Sequence, residues 1–164
     1  MERKLFIIRH GKSSWESVVN DIDRPLTERG VRNNYAMAHK LKDDMVVPEA
    51  VYTSPATRAF NTAIIMSQIW ELKDHNIFVR NKLYLPEVDD IYSVVYEIPN
   101  DFSSVAIFGH NPGFTHFVNE FLKDQIDNLP TSGVVVLSLK LNSWTDLGSA
   151  EVVDTIFNYP KRFV

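Results

Sequence analysis

The apolar run Leu5-Phe6-Ile7-Ile8 stops abruptly at Arg9-His10-Gly11-Lys12, and this junction constrains the fold more than any other stretch of the chain. A short run rich in β-branched and aromatic residues, bounded by charge on both sides, suits a strand buried on both faces better than a helix. Arg9 and His10 then fall at the carboxyl end of that strand, the edge where open α/β sheets bind their ligands. Taken alone, Arg9-His10-Gly11 reads equally well as a charged loop after a strand, because short motifs often match by chance.

The same pattern returns later. Val105-Ala106-Ile107-Phe108 is a second buried-strand candidate, and it ends in Gly109-His110-Asn111-Pro112-Gly113. Two strands that each deliver a histidine to one edge place both in a single crevice if they are neighbours.

Between these two strands the chain reads as alternating helices and strands. Ser13 to Pro25 lacks periodicity and is expected to loop over the sheet edge, with Trp15 pinning it by burying its ring and Asp23 pairing with Arg24. Thr27 is a plausible N-cap for a helix from Glu28 to Lys42, its inner face marked by Val31, Tyr35, Ala38 and Leu41. Ala50 to Thr53 reads as a strand, and Ser54-Pro55 as an N-cap with proline at the first helical position. The next helix runs to about Trp70 on Ala59, Ala63 and Met66, with Arg58 in its first turn. An arginine at that end departs from the dipole preference, and it reads either as an arginine placed to meet an anion or as one on a solvated face.

Ile77 to Leu83 resembles a third strand, and Val88, Ile91, Tyr92 and Val95 mark a short helix that stops before Pro99. Gly113 to Leu122 reads as a helix, and Val134 to Leu141 and Glu151 to Phe157 as two closing strands, paired antiparallel. His39, His75 and His116 have no accompanying ligand set and are expected at the surface.

With 164 residues and 45% hydrophobic content, residues 1–164 are expected to form one domain. The absence of cysteine removes thiolate chemistry and disulfide stapling. A net charge of -4 gives no general attraction to nucleic acid or anionic membrane, so any anion binding must come from local clustering. The apolar run near Met1 is too short for a signal-peptide core or a membrane span, and the expectation is a cytoplasmic protein.

Two histidines and at least two arginines at one strand edge make a poor metal site, because arginine repels cations. They make a good phosphate site, since the guanidinium fork matches phosphate oxygens and stays charged at working pH. A neutral histidine can attack phosphorus and form a phosphoenzyme that water then hydrolyses. Arg9, Arg58 and His110 would hold the equatorial oxygens of the transferring group, and that scheme calls for no cofactor.

Four ordered motifs carry a resemblance beyond this chemistry: Arg9-His10-Gly-Lys-Ser-Ser-Trp15, Asp23-Arg-Pro-Leu-Thr-Glu-Arg-Gly30, Ser54-Pro-Ala-Thr-Arg58 and Gly109-His-Asn-Pro-Gly113. Together they resemble the histidine phosphatase superfamily, phosphoglycerate-mutase-like proteins, and within it the small phosphohistidine phosphatase subgroup. The resemblance implies a three-layer α/β/α sandwich with a mostly parallel central sheet. It also implies His10 as the phosphorylated nucleophile, a phosphate pocket of Arg9, Arg58 and His110, and no cofactor. Lys12, Ser13 and Asn111 are candidates for further donors to the phosphate.

One departure from the family pattern narrows the substrate. Many members carry a glutamate after the third strand that protonates a departing alcohol, and here spacing puts Leu85 at that place, with Glu87 the nearest carboxylate. An imidazole leaves far more readily than an alkoxide, so loss of the acid favours phosphohistidine in a protein over a small phosphate ester. Glu87 stands as a possible acid if the turn curls inward, and otherwise as the solvated start of the next helix. The alternatives are a phosphomonoesterase acting on a small phosphorylated metabolite, and a phosphate-binding module without turnover.

Overall fold

In the computed structural model, which describes residues 1–16 and 18–162, the apolar run forms the core of β1 (Glu2–Arg9), with Leu5, Phe6, Ile7 and Ile8 fully buried. Ser17, inside the expected loop, and residues 163 and 164 lie outside the described residues. Strand β1 is flanked by β4 (Ser104–Gly109), parallel to it, and by β5 (Val134–Lys140), antiparallel. Beyond β4 lie β2 (Ala50–Thr53) and then β3 (Ile77–Val79), both parallel, while β6 (Glu151–Asn158) pairs antiparallel with β5 at the far edge. The resulting six-stranded sheet has the order β3-β2-β4-β1-β5-β6.

Alternation along β1 divides the core in two, as the two-residue period of a strand requires. Leu5 and Ile7 pack on one face with residues of α3 (Val88–Tyr96) and α4 (Gly113–Asn119). Phe6 and Ile8 pack on the other with α1 (Glu28–Asp43) and α2 (Thr57–Ile69). Helices on both faces of one mixed, mainly parallel sheet make the expected three-layer α/β/α arrangement.

Register then sets the geometry of the carboxyl edge. Arg9 lies opposite Gly109 in the β1–β4 ladder, so His10 and His110 leave adjacent strands at the same level. The start of α1 is seated directly on the loop after His10. Thr27 accepts a hydrogen bond from the Gly30 amide at 3.0 Å, while its own amide donates to the Lys12 carbonyl at 2.9 Å. A Cβ on Gly30 would lie 2.3 Å from that carbonyl oxygen, so the close approach requires glycine.

Several sequence expectations need correction. The buried face of α1 is Gly30, Asn34, Met37, Ala38 and Leu41, with Tyr35 exposed. Strand β3 stops at Val79 and gives way to a 3-10 turn over Asn81–Leu83, because an edge strand with one neighbour has pairing to gain on one side only. Helix α4 ends at Asn119, although Phe121 and Leu122 still pack against the core. Helix α2 begins at Thr57 with Ala56 at its N-cap, so Ser54 does not cap it. Among the described residues no helix is long and apolar enough to cross a membrane.

Candidate active site

His10 and His110 stand side by side where β1 and β4 end, their ring centroids 5.1 Å apart and both side chains buried. His10 Nδ1 lies 2.7 Å from the Gly11 carbonyl oxygen, which can only accept. The ring proton therefore sits on Nδ1, and Nε2 keeps its lone pair. His110 Nε2 is 2.8 Å from Ser54 Oγ, and that oxygen already accepts from the Ala56 amide at 3.2 Å. The hydroxyl proton is thus free to be donated to Nε2, which leaves the His110 proton on Nδ1, a buried atom with no protein partner.

Both rings are neutral near pH 7. His10 is pushed down to about 4, chiefly by burial; the Gly11 carbonyl acts the other way, and Arg58, Arg9 and Arg24 add to the depression. His110 is pushed down to about 3, first by burial and then by His10 and Arg58. The unfolded chain protonates both near the ordinary histidine value of 6.5, whereas the folded chain resists until about 4 and about 3. More protons are then bound by the unfolded state, so these two groups make stability fall as pH drops from 6.5 toward 4. Denaturant midpoints at pH 7 and pH 5 are expected to differ in that sense, and a His10→Gln/His110→Gln double variant is expected to show a shallower slope. An unchanged slope would contradict the assignment of both rings as neutral.

The arginines surround this pair. Arg9 donates from Nη1 to the Leu129 carbonyl at 3.0 Å, and its buried Nε has no partner. Arg58 is almost fully buried and donates to Asp21 twice, to the carbonyl at 2.6 Å and to the carboxylate at 3.0 Å. Arg24 also meets Asp21, at 3.2 Å, and donates to Ser13 Oγ at 2.6 Å. The Tyr84 hydroxyl donates to the same carboxylate at 2.5 Å. This hydroxyl, together with Arg58 and Arg24 as smaller contributors, holds Asp21 well below the usual carboxylate range.

A cavity of about 290 Å³ lies between these groups. Arg9, His10, Lys12, Ser13, Arg58, His110 and Asn111, all expected from the sequence, line it, and so does Leu85. Leu85 is exposed, with a positive φ of 45° that is unusual for a residue bearing a side chain. Glu87 does not line the cavity. It is exposed and occupies the N-cap of α3, where its amide donates to Asp90 at 3.0 Å, so the turn does not curl inward.

One of the expected donors is already committed. Asn111 gives its amide hydrogens to Asn128 Oδ1 and the Leu129 carbonyl, both at 2.9 Å, and its oxygen accepts from Thr115. It positions the loop after β4 rather than offering hydrogens to an anion. Ser13 Oγ accepts from Arg24, which holds the side chain in place and leaves its hydroxyl hydrogen free to be donated. The loop itself differs from expectation in two further ways. Arg24 pairs with Asp21 and not with Asp23, and Trp15 is exposed, its ring covered by the Arg24 guanidinium at 3.5 Å instead of buried in the body.

The structure also reveals a buried support that sequence reasoning missed. Gly11 N donates to Thr62 Oγ1 at 3.0 Å, Asn34 Nδ2 donates to the same oxygen at 2.9 Å, and Ser132 Oγ donates to Asn34 Oδ1 at 2.6 Å. The Ser132 amide in turn lies 3.1 Å from the Arg9 and His10 carbonyls. All three side chains are fully buried, so the backbone on both sides of His10 is clamped by satisfied hydrogen bonds. The one available signal was a polar residue set within an apolar helical stripe, Asn34 beside Met37 and Leu41, and Thr62 beside Ala59 and Ala63.

Among the described residues, no group of three or more His, Cys, Asp or Glu side chains gathers as a metal site. What the cavity offers is cationic and neutral donors around a buried imidazole lone pair, an arrangement suited to an oxyanion bearing an electrophilic centre.

The sequence matches the model of the histidine phosphatase superfamily (branch 1) over residues 5–77. A solved structure of a provisionally assigned phosphohistidine phosphatase, SixA, from Nakamurella multipartitia superposes with a TM-score of 0.83 at 26% identity, covering 98% of this chain and 97% of that one. A mycobacterial glucosyl-3-phosphoglycerate phosphatase shares the fold at a TM-score of 0.66 and 15% identity, with 96% and 97% of the two chains covered. In sequence, the 2,3-bisphosphoglycerate-dependent phosphoglycerate mutase of Bifidobacterium longum is 40% identical over 68 residues, which span 40% of this chain and 28% of the mutase.

Proposed function

Because the chain belongs to the histidine phosphatase superfamily, we propose that it hydrolyses phosphohistidine in proteins through a covalent phosphoryl intermediate on its own His10. In the first step the His10 Nε2 lone pair attacks phosphorus, the bond from phosphorus to the substrate nitrogen breaks with its electron pair going to that nitrogen, and the substrate imidazole, already protonated on its other ring nitrogen, departs as a neutral ring. In the second, water attacks the phosphoryl group, the bond to His10 Nε2 breaks, and inorganic phosphate leaves. Arg9 and Arg58 hold the equatorial oxygens with charge that does not titrate, and His110 donates from Nδ1. The Gly11 carbonyl keeps the His10 proton on Nδ1 and so stabilises positive charge as the new nitrogen–phosphorus bond forms.

The observation that carries the substrate assignment is the state of the carboxylates. Among the described residues, Asp21 is the one carboxylate lining the cavity, and two arginines and a tyrosine hold it ionised. A group held in that state has no proton to give an alcohol. Water and alcohols ionise near pH 16, so a departing alkoxide needs that proton, while a phosphohistidine ring protonated on its other nitrogen releases a neutral imidazole, whose conjugate acid ionises near 6.5, with no proton from the enzyme. Leu85 and the outward placement of Glu87 support the same reading.

A direct comparison tests it. With a chelator present, kcat/KM for a phosphohistidine-bearing protein is expected to exceed that for each of a panel of phosphomonoesters by about 100-fold or more, the range a positioned general acid typically contributes. Faster turnover of the esters would overturn the substrate assignment, and loss of all activity to the chelator would overturn the mechanism.

A further inference from the structure

The reaction cavity does not end at Arg9 and Lys12. Both residues also line a second cavity of about 510 Å³, and a third of about 250 Å³ shares Arg29, Asn33 and Lys161 with the second. Arg29 and Arg32 come from the first turns of α1, and Lys161 from the 3-10 turn Pro160–Arg162 that packs against that helix. The three cavities form one trough lined by Arg9, Lys12, Arg29, Arg32 and Lys161.

Among the described residues lining the second and third cavities there is no carboxylate, in a chain whose net charge is -4. Local balance is slight. Arg32 has Glu28 at 4.0 Å, an exposed pair of small energetic weight, and Arg29 makes no ion pair among the described residues. Crowding cations on one strip costs self-repulsion, which a bound polyanion would relieve.

We propose that this trough binds carboxylates on the surface of the phosphorylated substrate, so that the preferred substrate is a protein carrying an acidic patch beside its phosphohistidine. The proposal rests on the phosphohistidine reading above and deepens it. The chemistry of the lining favours carboxylates spread over a surface. Arg29, Arg32 and Lys161 sit on long, exposed side chains from two separate elements, and Asn33 and Asn128 line the same trough as uncharged groups. A compact metabolite with two phosphates is instead matched by enclosed, buried donors close to the first phosphate site. The guanidinium forks suit carboxylates bidentately, and a strip of one sign raises the association rate of an oppositely charged partner in a salt-dependent way.

The test uses an Arg29→Ala/Lys161→Ala double variant, neither residue being part of the reacting constellation. Four substrates are compared at low ionic strength: a phosphohistidine protein with acidic residues around the modified histidine, the same protein with those residues changed to amides, phosphoramidate, and a small bisphosphorylated ester. The parent is expected to favour the acidic protein about tenfold in kcat/KM through a lower KM. The double variant is expected to lose that preference and to hydrolyse phosphoramidate at the parental rate. Equal preference in parent and variant would overturn the proposal, as would an equal loss on phosphoramidate. A loss confined to a small bisphosphorylated ester would overturn it in favour of a metabolite. Binding of poly-L-glutamate to the His10→Ala variant is read separately. If the parent hydrolyses no phosphohistidine, yet poly-L-glutamate binds and is released by removing Arg29 and Lys161, the phosphohistidine reading falls and the carboxylate trough stands.

Discussion

His10→Ala is expected to lower turnover of phosphorylated substrates by about 10⁴-fold or more, the scale on which removal of a covalent nucleophile is felt. No other group can take its place. Among the buried cavity residues His10 alone combines a free nitrogen lone pair with an adjoining carbonyl that holds its other proton, whereas the corresponding nitrogen of His110 is engaged by Ser54. The fold is expected to survive the change. The chain on either side of position 10 is held by Ser132, Thr62 and Asn34, none of which bonds the imidazole itself. Circular dichroism matching the parent, together with phosphate binding measured by calorimetry, separates a missing nucleophile from a lost fold. A variant with parental rates would show that His10 is not the nucleophile.

Arg58→Ala gives the second large effect, an expected fall of about 10² to 10³ in kcat/KM, the range found when one preorganised donor to a developing oxyanion is removed. Its guanidinium is buried beside both histidines, and Asp21 fixes it through two hydrogen bonds. Arg58→Lys is expected to recover only part of the loss, because an ammonium keeps the charge but not the planar fork that meets two oxygens together. Asp21 keeps Arg24 and Tyr84 as partners in either variant and lies in a partly exposed loop, so it is not left as an unpaired buried charge. Steady-state rates for Ala and Lys variants on one substrate check this. Full recovery by lysine would mean that charge alone matters and that the fork geometry is incidental.

The parts of this site that were legible in the sequence are those fixed by strand ends. A buried apolar run must stop somewhere, and the polar residues just past Ile8 and Phe108 are delivered to one edge by the parallel register of β1 and β4. Arg58 was readable for a related reason, since a first-turn arginine after a strand opposes the helix dipole. Asp21 was not readable. It sits in an aperiodic loop, and it reaches Arg58 across 37 positions only once α2 and the sheet are assembled. Ser54 looked like a helix cap because serine before proline usually is one, but its hydroxyl is bonded to His110 instead. Asn34 and Thr62 were hidden by pattern reading itself, which discards polar residues from an apolar stripe although here they clamp the backbone around His10. The length of β3 and the exposure of Trp15 depend on neighbours that no local window contains.

The phosphoryl group on His10 is the central claim, and rapid-quench trapping tests it most directly. The protein is mixed with a phosphohistidine-bearing protein and stopped in alkali within the first turnover, and the digested peptides are mapped by mass spectrometry. The mechanism predicts a phosphoryl group stable to alkali and labile to acid on the peptide containing His10, forming and decaying at least as fast as steady-state turnover and absent from His10→Ala. Undiminished turnover with no phosphorylated peptide, or with the phosphoryl group on another residue, would contradict it.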